Sequence, residues 1–376
     1  MPRKPGMARL VSASLPEFPW DTLADAKALA GDHPDGIVDL SVGTPVDPVA
    51  TVIREALAAA RAAPGYPATA GTVRLRESAV AALDRRFGIT GLGESAVLPV
   101  IGTKELIAWL PTLLGLGAAD VVVVPELAYP TYEVGARLAG AQVLRADSLT
   151  QLGPQSPALF YLNSPSNPTG RVLGLDHLRK VVGWARERGV VVASDECYLG
   201  LGWDAEPLSV LHPSVCDGDH TGLLAVHSLS KSSSLAGYRA GFVAGDPGLV
   251  AELLAVRKHA GMMVPTPVQA AMTAALDDDV HDKLQRERYA RRRAALAPAL
   301  RSAGFVVDFS EGGLYLWATR GEPCRDSVAW FAQRGILVAP GEFYGPGGAR
   351  HVRVALTATD ERIAAAVGRL TAPAEA

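Results

Sequence analysis

The chain has 376 residues, a formal net charge of −3 at pH 7 and 48% apolar residues. This length is enough for a large α/β domain with a smaller one, and the near-neutral charge gives no sign of nucleic-acid binding. Three cysteines are too few for a disulfide framework and fit a reducing compartment. We therefore expect a cytoplasmic protein, because the first ten residues lack the apolar core of a secretory signal and no run of about 18 apolar residues could span a membrane.

Short apolar runs alternate with amphipathic segments, a pattern typical of a largely parallel sheet covered by helices. The predicted strands span residues 97–101, 121–124, 158–162, 190–194, 223–228 and 241–244. The predicted helices span residues 50–62, 72–86, 103–115, 130–139, 175–188 and 246–258. The charged run 282–293 is predicted to be one long exposed helix. After it we expect strands near 304–309, 313–317 and 350–356 and helices near 325–334 and 360–370.

A glycine-containing turn follows the first predicted strand, where Gly102, Thr103 and Lys104 lead into an amphipathic segment. Backbone amides at the start of a helix, behind a glycine, can form a cradle for phosphate. Many helices begin in this way, and the side chain of Lys104 could equally point to solvent. The turn indicates a phosphate site only together with the other motifs.

Two further strands run into segments with aromatic or amide side chains. The strand 121–124 leads to Tyr129, whose flat ring could stack on a ring ligand, although a core or turn tyrosine is the alternative. The strand 158–162 leads to Asn163-Ser-Pro-Ser-Asn167-Pro-Thr-Gly170, a turn by composition. Ligands collect at the carboxyl ends of parallel strands, so both segments are candidates for a binding site.

The strand 190–194 ends at Asp195, three residues before Tyr198. A buried carboxylate in this position favours a protonated ring nitrogen in a bound cofactor. A helix-capping aspartate is the alternative interpretation.

The most specific pattern is Ser-x-Ser-Lys-x5-Gly-x-Arg-x-Gly, from Ser228 to Gly241. The amine of Lys231 can form a Schiff base with an aldehyde. The guanidinium of Arg239 and the hydroxyls of Ser228 and Ser230 can bind phosphate oxygens. The pattern therefore predicts a site for an aldehyde cofactor that carries a phosphate, with a solvated surface lysine as the alternative.

In this order the motifs resemble those of the class I and II (fold-type I) pyridoxal-phosphate (PLP) aminotransferases. The resemblance implies a mostly parallel seven-stranded sheet in a large domain, residues 46–280, and a discontinuous small α+β domain, residues 1–45 and 281–376. It implies a homodimer in which Tyr66 reaches the phosphate bound by the neighbouring subunit. Within one chain, the implied PLP-binding residues are Gly102, Thr103, Lys104, Tyr129, Asn167, Asp195, Tyr198, Ser228, Ser230, Lys231 and Arg239.

The resemblance also implies roles. Lys231 holds the cofactor and then moves a proton, Asp195 pairs with the ring nitrogen, and Tyr198 hydrogen-bonds the phenolic oxygen. The substrates would be amino acids and 2-oxo acids, bound by Gly43, Asn167 and Arg353. Arg353 would grip the α-carboxylate, since a carboxylate suits a planar two-pronged donor, although an exposed arginine on an edge strand is the alternative.

The segments 14–23, 37–48 and 101–111 resemble the N-succinyldiaminopimelate aminotransferase group of bacterial lysine and cell-wall biosynthesis. This implies N-succinyl-LL-diaminopimelate and 2-oxoglutarate/glutamate as substrates. Residues 261–267 lack the arginine that aspartate-type members carry there for a distal carboxylate. Instead Met262 and Met263 offer adaptable apolar surface for a longer side chain.

Other functions remain open at this point. One is transamination of aspartate, LL-diaminopimelate or an aromatic or aliphatic amino acid, and another is a PLP-dependent β-lyase. The sensing domain of a transcription regulator would need a helix-turn-helix extension, for which too few residues precede the first motif. Residues 212–220 collect metal-ligand types in a spacing that fits no zinc pattern, so we expect no metal and a solvated connection there.

Overall fold

The computed structural model describes residues 11–372. The expectation about a secretory signal, and the outer ends of the expected small domain, fall on residues 1–10 and 373–376, outside the described residues. The strands are β1 (Val38–Asp39), β2 (Val97–Val100), β3 (Val121–Val124), β4 (Gln142–Arg145), β5 (Leu159–Asn163), β6 (Val191–Asp195), β7 (Leu223–Ser228), β8 (Gly241–Gly245), β9 (Val306–Asp308), β10 (Tyr315–Thr319), β11 (Ile336–Leu337), β12 (Ala339–Pro340) and β13 (Val352–Ala355).

Thirteen α-helices lie in the same described part of the chain. They are α1 (Ala24–Gly31), α2 (Thr51–Ala59), α3 (Val73–Phe87), α4 (Thr103–Leu113), α5 (Thr131–Ala139), α6 (Leu175–Arg188), α7 (Pro213–Cys216), α8 (Leu229–Ser232), α9 (Pro247–Ala260), α10 (Thr266–Asp277), α11 (Asp279–Ser302), α12 (Cys324–Ala332) and α13 (Asp360–Thr371). Short 3₁₀ turns lie at Val11–Ser14, Pro19–Leu23, Glu94–Ala96, Leu149–Leu152, Gly341–Tyr344 and Pro346–Gly348.

The central sheet has seven strands in the order β2-β8-β7-β6-β5-β3-β4. All neighbours are parallel except β8, which runs antiparallel to both β2 and β7. Apolar clusters pack on both faces of this sheet, and such burial produces the continuous apolar runs from which six strands were predicted. The expected mostly parallel, seven-stranded α/β fold is therefore confirmed.

A second, smaller group of strands is built largely from the C-terminal third of the chain. The strands β12, β13, β10 and β9 form an antiparallel sheet, and β1 pairs in parallel with β11. The apolar cluster beneath them joins Leu23, Val38 and Leu40 to residues of α11, α12, α13 and these strands. This arrangement suits a discontinuous small domain, whose boundaries at 45/46 and 280/281 stay a prediction.

The charged helix predicted over residues 282–293 is longer and less exposed than expected. It is α11, and the side chain of Asp278 caps it by accepting from the amides of Val280 and His281. One stripe of α11 is buried at helical spacing: Gln285, Tyr289, Arg292, Leu296 and Leu300. The prediction of exposure was wrong because polar residues hold two of these positions, and Arg292 is there paired with Asp47 and Asp360.

Several elements were not predicted: the strands β1, β4, β11 and β12 and the helices α1, α7, α8 and α10. The strand β4 was not predicted because it pairs only with β3 at the sheet edge and none of its residues is fully buried. The helix α10 was not predicted, although the proline in its first turn is common at a helix start. Within the expected solvated connection 212–220, α7 buries Val215 and Cys216 in the core, so that interpretation was partly wrong.

A buried ion pair ties α4 to α9. Arg257 is 0% exposed and donates to both carboxylate oxygens of Glu105, at 3.0 and 3.1 Å. Glu105→Ala would leave the guanidinium buried without its charge partner, so we expect a loss of about 3–5 kcal/mol in the free energy of unfolding, measured in urea. Asp277→Ala removes the partner of the exposed Arg74 and should cost at most about 1 kcal/mol. Equal losses in the two variants would contradict this prediction.

Candidate active site

The carboxyl ends of β3, β5, β6 and β7 meet at one edge of the central sheet because these strands are parallel. Asp195 is the last residue of β6, and the segments that follow β3, β5 and β7 carry Tyr129, Asn167 and Lys231. The loop after β2, with the start of α4, adds residues 102–104. The order of the strands thus gathers residues that are far apart in sequence.

The start of α4 forms a cationic cup with Arg239. Gly102 has a φ of 86°, and a Cβ at this position would overlap with the guanidinium of Arg239. Burial lowers the pKa of the Lys104 amine, and the charge of Arg239 acts in the same direction. The first amides of α4 have no acceptor within the helix. The guanidinium of Arg239 beside free amides suits a phosphate group, and the Lys104 amine lies over the Phe18 ring, 5.6 Å from its centre.

Some of the hydroxyl groups at this cup already form hydrogen bonds within the chain. Ser228 Oγ accepts from the amide of Ser230 at 3.1 Å and so caps the short helix α8. Ser230 itself is buried. Thr103 Oγ1 accepts from the thiol of Cys197 at 3.3 Å, which connects the cup to the end of β6.

The glycine at the cup is open to a direct test. Gly102→Ala should displace Arg239, an exposed side chain that can swing away, so we expect PLP affinity to fall by about tenfold with the fold retained, since charge-assisted contacts to phosphate are strong. Gly115→Ala is the matched control, because Gly115 also has a positive φ, 72°, but nothing lies within 4 Å of its Cβ position. PLP titration monitored by absorbance measures both affinities. A similar loss in the two variants would assign the effect to backbone strain alone.

Asp195 lies at the end of β6 with its carboxylate buried. Its Oδ2 accepts from the hydroxyl of Tyr132 at 2.7 Å, and its Oδ1 accepts from the amide of Cys197 at 3.2 Å. Burial raises the pKa of Asp195, and among the described residues no cation forms an ion pair with it. A protonated ring nitrogen would supply the missing positive charge, so Asp195 and the cationic cup together fit PLP.

The aromatic side chains near Asp195 form a connected group. Tyr132 is fully buried and stacks on Tyr161 with ring centroids 4.8 Å apart, and the hydroxyl of Tyr161 donates to the carbonyl of Ile107. Tyr129 is only partly buried and meets Tyr132 edge to face at 6.0 Å. Tyr129 is thus partly accessible, and Tyr132 fixes the Asp195 carboxylate.

Lys231 follows β7 in the short helix α8. Its Nζ donates to the carbonyl oxygen of Gly43, and its own carbonyl accepts from the hydroxyl of Tyr289 at 3.1 Å. Burial lowers the pKa of the Lys231 amine, and the charges of Arg353 and Arg239 act in the same direction. A neutral amine is the form that attacks an aldehyde, so the setting activates Lys231. The alternative of a solvated surface lysine does not describe it.

Arg353 lies on β13, which has β12 on one side and β10 on the other, so it is not on an edge strand. It is 2% exposed. Its Nη1 donates to Asn167 Oδ1 at 2.8 Å and its Nη2 to the carbonyl of Ser41 at 2.7 Å. The backbone amide of Asn167 in turn donates to Asn163 Oδ1 at 2.7 Å. The alternative of an exposed arginine is therefore wrong.

One hydrogen-bond donor of Arg353 has no acceptor. Its Nε is buried without a hydrogen-bond partner. Buried charged donors without an acceptor are costly. An incoming carboxylate would provide acceptors beside this guanidinium.

Two tyrosines without a sequence signal, Tyr315 and Tyr132, join the site. Tyr198 Oη lies 3.2 Å from Tyr315 Oη, and burial raises the pKa of Tyr198 well above its ordinary value. A Cβ at Gly43 would overlap with the Tyr315 hydroxyl, which explains the glycine. Tyr315 and Tyr132 were not predicted as site residues, because each stands in or beside an apolar run as a core tyrosine would.

Tyr66 is the expected PLP-binding residue that the family resemblance assigns to the neighbouring subunit's site. Its side chain is 100% exposed in the single chain. Within residues 11–372, no cluster of three or more His, Cys, Asp or Glu is placed to hold a metal ion. No helix of this described range has the length and apolar character needed to cross a bilayer.

The chain belongs to the class I and II aminotransferases, because the model of that family matches residues 35–370. The family is PLP-dependent and acts on amino acids and 2-oxo acids, so the expected cofactor and reaction type are confirmed. The chain is 87% identical over 361 residues to the probable aminotransferase Rv1178 of Mycobacterium tuberculosis (strain ATCC 25618 / H37Rv), covering 96% of this chain and 86% of that protein.

Two further relatives differ in their described substrates. The chain is 60% identical over 357 residues to the 4-dedimethylamino-4-oxo-anhydrotetracycline transaminase OxyQ of Streptomyces rimosus, covering 95% of this chain and 99% of that protein. A solved structure of a probable N-succinyldiaminopimelate aminotransferase from Thermus thermophilus superposes with a TM-score of 0.83 at 27% identity, covering 94% of this chain and 99% of that one. The substrate is therefore a separate question from the family.

Proposed function

We propose that this chain transfers the amino group of an α-amino acid at a site formed by Lys231, Asp195 and Arg353, with N-succinyl-LL-diaminopimelate and 2-oxoglutarate as one substrate pair. The observation that carries the reaction is a lysine amine of lowered pKa beside a buried arginine fork with a free donor. The amine of Lys231 can move a proton, and the guanidinium of Arg353 can hold the substrate carboxylate next to that amine.

In this mechanism each residue has a separate task. When bound, PLP supplies the aldehyde that takes up the amino group and the ring that withdraws electrons. Arg353 binds the α-carboxylate and so orients the Cα hydrogen toward Lys231. Lys231, as a neutral amine, takes the proton from Cα and later returns a proton. Asp195 keeps a negative charge beside the ring nitrogen, and Arg239 and Lys104 hold the phosphate.

Three observations support the choice of N-succinyl-LL-diaminopimelate. The segments 14–23, 37–48 and 101–111 resemble that group of enzymes, and a solved structure of a probable member covers 94% of this chain. The absence of arginine in 261–267 leaves no clamp there for the short side chain of aspartate. A succinylated side chain is long enough to lie on apolar surface instead.

A second candidate substrate is a bulky cyclic oxo compound. The supporting observation is the 60% identity over nearly the full length of both chains to the Streptomyces rimosus transaminase, whose name describes a polycyclic 4-oxo substrate. In that case Arg353 would bind the α-carboxylate of the amino donor. The oxo compound that accepts the amino group would need no α-carboxylate. Met262 and Met263 would suit either large substrate.

The test is a spectroscopic comparison of single half-reactions. PLP-loaded protein is mixed with N-succinyl-LL-diaminopimelate, LL-diaminopimelate, L-aspartate or L-glutamate without any oxo acid, and the visible absorbance of the bound cofactor is followed. A fast change with the succinylated compound, much slower with L-aspartate, supports the first proposal. A change with L-glutamate alone, followed by reversal with a cyclic ketone, favours the second. Pyruvate and ammonia released without an acceptor would instead indicate a β-lyase.

The proposed assembly is a homodimer with active sites at the subunit interface, in the cytoplasm. It is supported by the full exposure of Tyr66, the residue that the family resemblance places at a neighbour's phosphate. Mixing equal amounts of Tyr66→Ala and Lys231→Ala proteins, each expected to be weak or inactive, should restore about a quarter of the activity, because half of the dimers become hybrids and each hybrid keeps one intact site. No recovery after subunit exchange would contradict shared sites.

A further inference from the structure

Tyr315 lies on β10, the strand next to β13 in the small antiparallel sheet. The register pairs Trp317 with Arg353 and Tyr315 with Ala355, so Tyr315 is a diagonal neighbour of Arg353 on the same sheet face. Diagonal neighbours are within reach when one side chain is aromatic and the other is long. The guanidinium carbon of Arg353 is in fact 3.9 Å from the centre of the Tyr315 ring.

This contact supports the flat face of the guanidinium. Asn167 and Ser41 accept from the two Nη atoms and hold the edge of the group. The Tyr344 ring also lies near, at the longer distance of 5.0 Å. The Tyr315 ring is therefore the nearer platform, and a stacked cation in a buried site is held more firmly than an exposed one.

The other end of Tyr315 is fixed as well. Its hydroxyl lies 3.2 Å from that of Tyr198 and against the Cα of Gly43, where a methyl group would not fit. The two rings meet edge to face at 5.9 Å. Burial raises the pKa of Tyr315, but the charges of Arg353 and Lys231 and the hydrogen bond with Tyr198 outweigh it, so the net pKa is lowered.

We propose that Tyr315 is a positioning residue with two separable contacts: its ring holds the guanidinium of Arg353 in the plane that receives an α-carboxylate, and its hydroxyl holds the hydroxyl of Tyr198. The inference rests on the proposed function, which assigns the α-carboxylate to Arg353, and on the family resemblance, which assigns the phenolic oxygen of PLP to Tyr198. It does not depend on which amino acid is the substrate. Gly43 is part of the arrangement, since any larger residue would displace the Tyr315 hydroxyl.

Two variants separate the contacts. Tyr315→Leu removes the ring, and Tyr315→Phe keeps the ring and removes the hydroxyl. Trp330→Leu is the control, because it removes an aromatic platform from two arginines outside the site, Arg334 and Arg320, whose guanidinium carbons lie 3.8 and 4.4 Å from the centre of the Trp330 ring. This control shows what the loss of a stacked pair does to the fold alone.

The first measurement uses a matched pair of amino donors. L-glutamate and its α-carboxamide, L-isoglutamine, differ only in the group that Arg353 would bind, so the ratio of their half-reaction efficiencies reports that contact. We expect Tyr315→Leu to reduce this ratio about tenfold, and Tyr315→Phe and Trp330→Leu to keep it within about twofold of the unchanged protein. An unchanged ratio in Tyr315→Leu, or an equal loss for both donors, would overturn the role of the ring.

The second measurement concerns the hydroxyl. Tyr315→Phe should shift the pH at which the visible absorbance of bound PLP changes, because Tyr198 loses its hydrogen-bonding neighbour. Trp330→Leu should leave that pH unchanged. A pH profile of Tyr315→Phe that overlays the profile of the unchanged protein would overturn the role of the hydroxyl.

A third measurement needs no activity. In crystal structures of the cofactor-free variants, Tyr315→Phe should keep the bond from Arg353 to Asn167, and Tyr315→Leu should show the guanidinium turned away from it. An Arg353 that stays in place in both variants would overturn the proposal. This result also separates the inference from the substrate assignment, since failure of N-succinyl-LL-diaminopimelate or even L-glutamate to react leaves the position of Arg353 measurable.

Discussion

Lys231→Ala is expected to lower transamination by at least about 10⁴-fold while the protein still binds PLP. The amine is lost, and with it the group that moves the proton at the substrate Cα. The cationic cup around Arg239 and Lys104 is untouched, so the phosphate retains its contacts. The measurement is the turnover rate of the purified variant together with its PLP content after dialysis.

The same variant offers a rescue experiment. The alanine leaves space where the lysine side chain contacted the carbonyl of Gly43, and a small primary amine added to the solution can enter it. We expect methylamine to restore a small, concentration-dependent part of the activity. Lys180→Ala, which removes an exposed lysine of α6, should react normally with or without methylamine. Ordinary turnover by Lys231→Ala without added amine would remove Lys231 from the mechanism.

How well each element could be predicted from the sequence depended on how deeply it is buried in the fold. The strands β3, β5, β6 and β7 are mostly or fully buried, so their sequences are short continuous apolar runs that stand out. The sequences of the edge strand β4 and the helix α10 do not stand out from their surroundings in this way, so neither element was predicted. The helix α11 was recognised, but the burial of Gln285 and Arg292 could not be, because it depends on partners from distant parts of the chain such as Asp47.

The candidate site divides in a similar way. Lys231, Arg239, Asp195 and Asn167 stand in patterns whose spacing is itself unusual, and the fold brings three of them to the carboxyl ends of parallel strands. Tyr315 has no such pattern. Its position beside Arg353 follows from the register of β10 against β13, and its hydroxyl meets Tyr198 across 117 residues of sequence. Contacts between residues this far apart in the chain produce no local sequence pattern from which they could be predicted.

Asp195→Asn is expected to separate PLP binding from catalysis. The asparagine can still accept from the Tyr132 hydroxyl, and the phosphate cup is unaffected, so PLP should bind. The negative charge beside the ring nitrogen is lost, and losing one preorganised electrostatic contact costs about 10²–10³-fold in rate. Turnover and PLP affinity are measured on the same preparation. Asp84→Asn, an exposed carboxylate on α3, should change neither.

The pH dependence of the free energy of unfolding provides an independent test of the role of Asp195. Burial raises the pKa of Asp195 above its ordinary value of 3.8, so the folded, cofactor-free protein keeps this proton to a higher pH than the unfolded chain does. The folded state therefore binds more protons in that window, and the Asp195 contribution to stability falls as pH rises through it. Asp195→Asn should remove this fall from the cofactor-free protein, measured as urea unfolding at a series of pH values. If the two proteins instead lose stability in parallel, the carboxylate already has a compensating charge without PLP, and its proposed pairing with the ring nitrogen loses its physical basis.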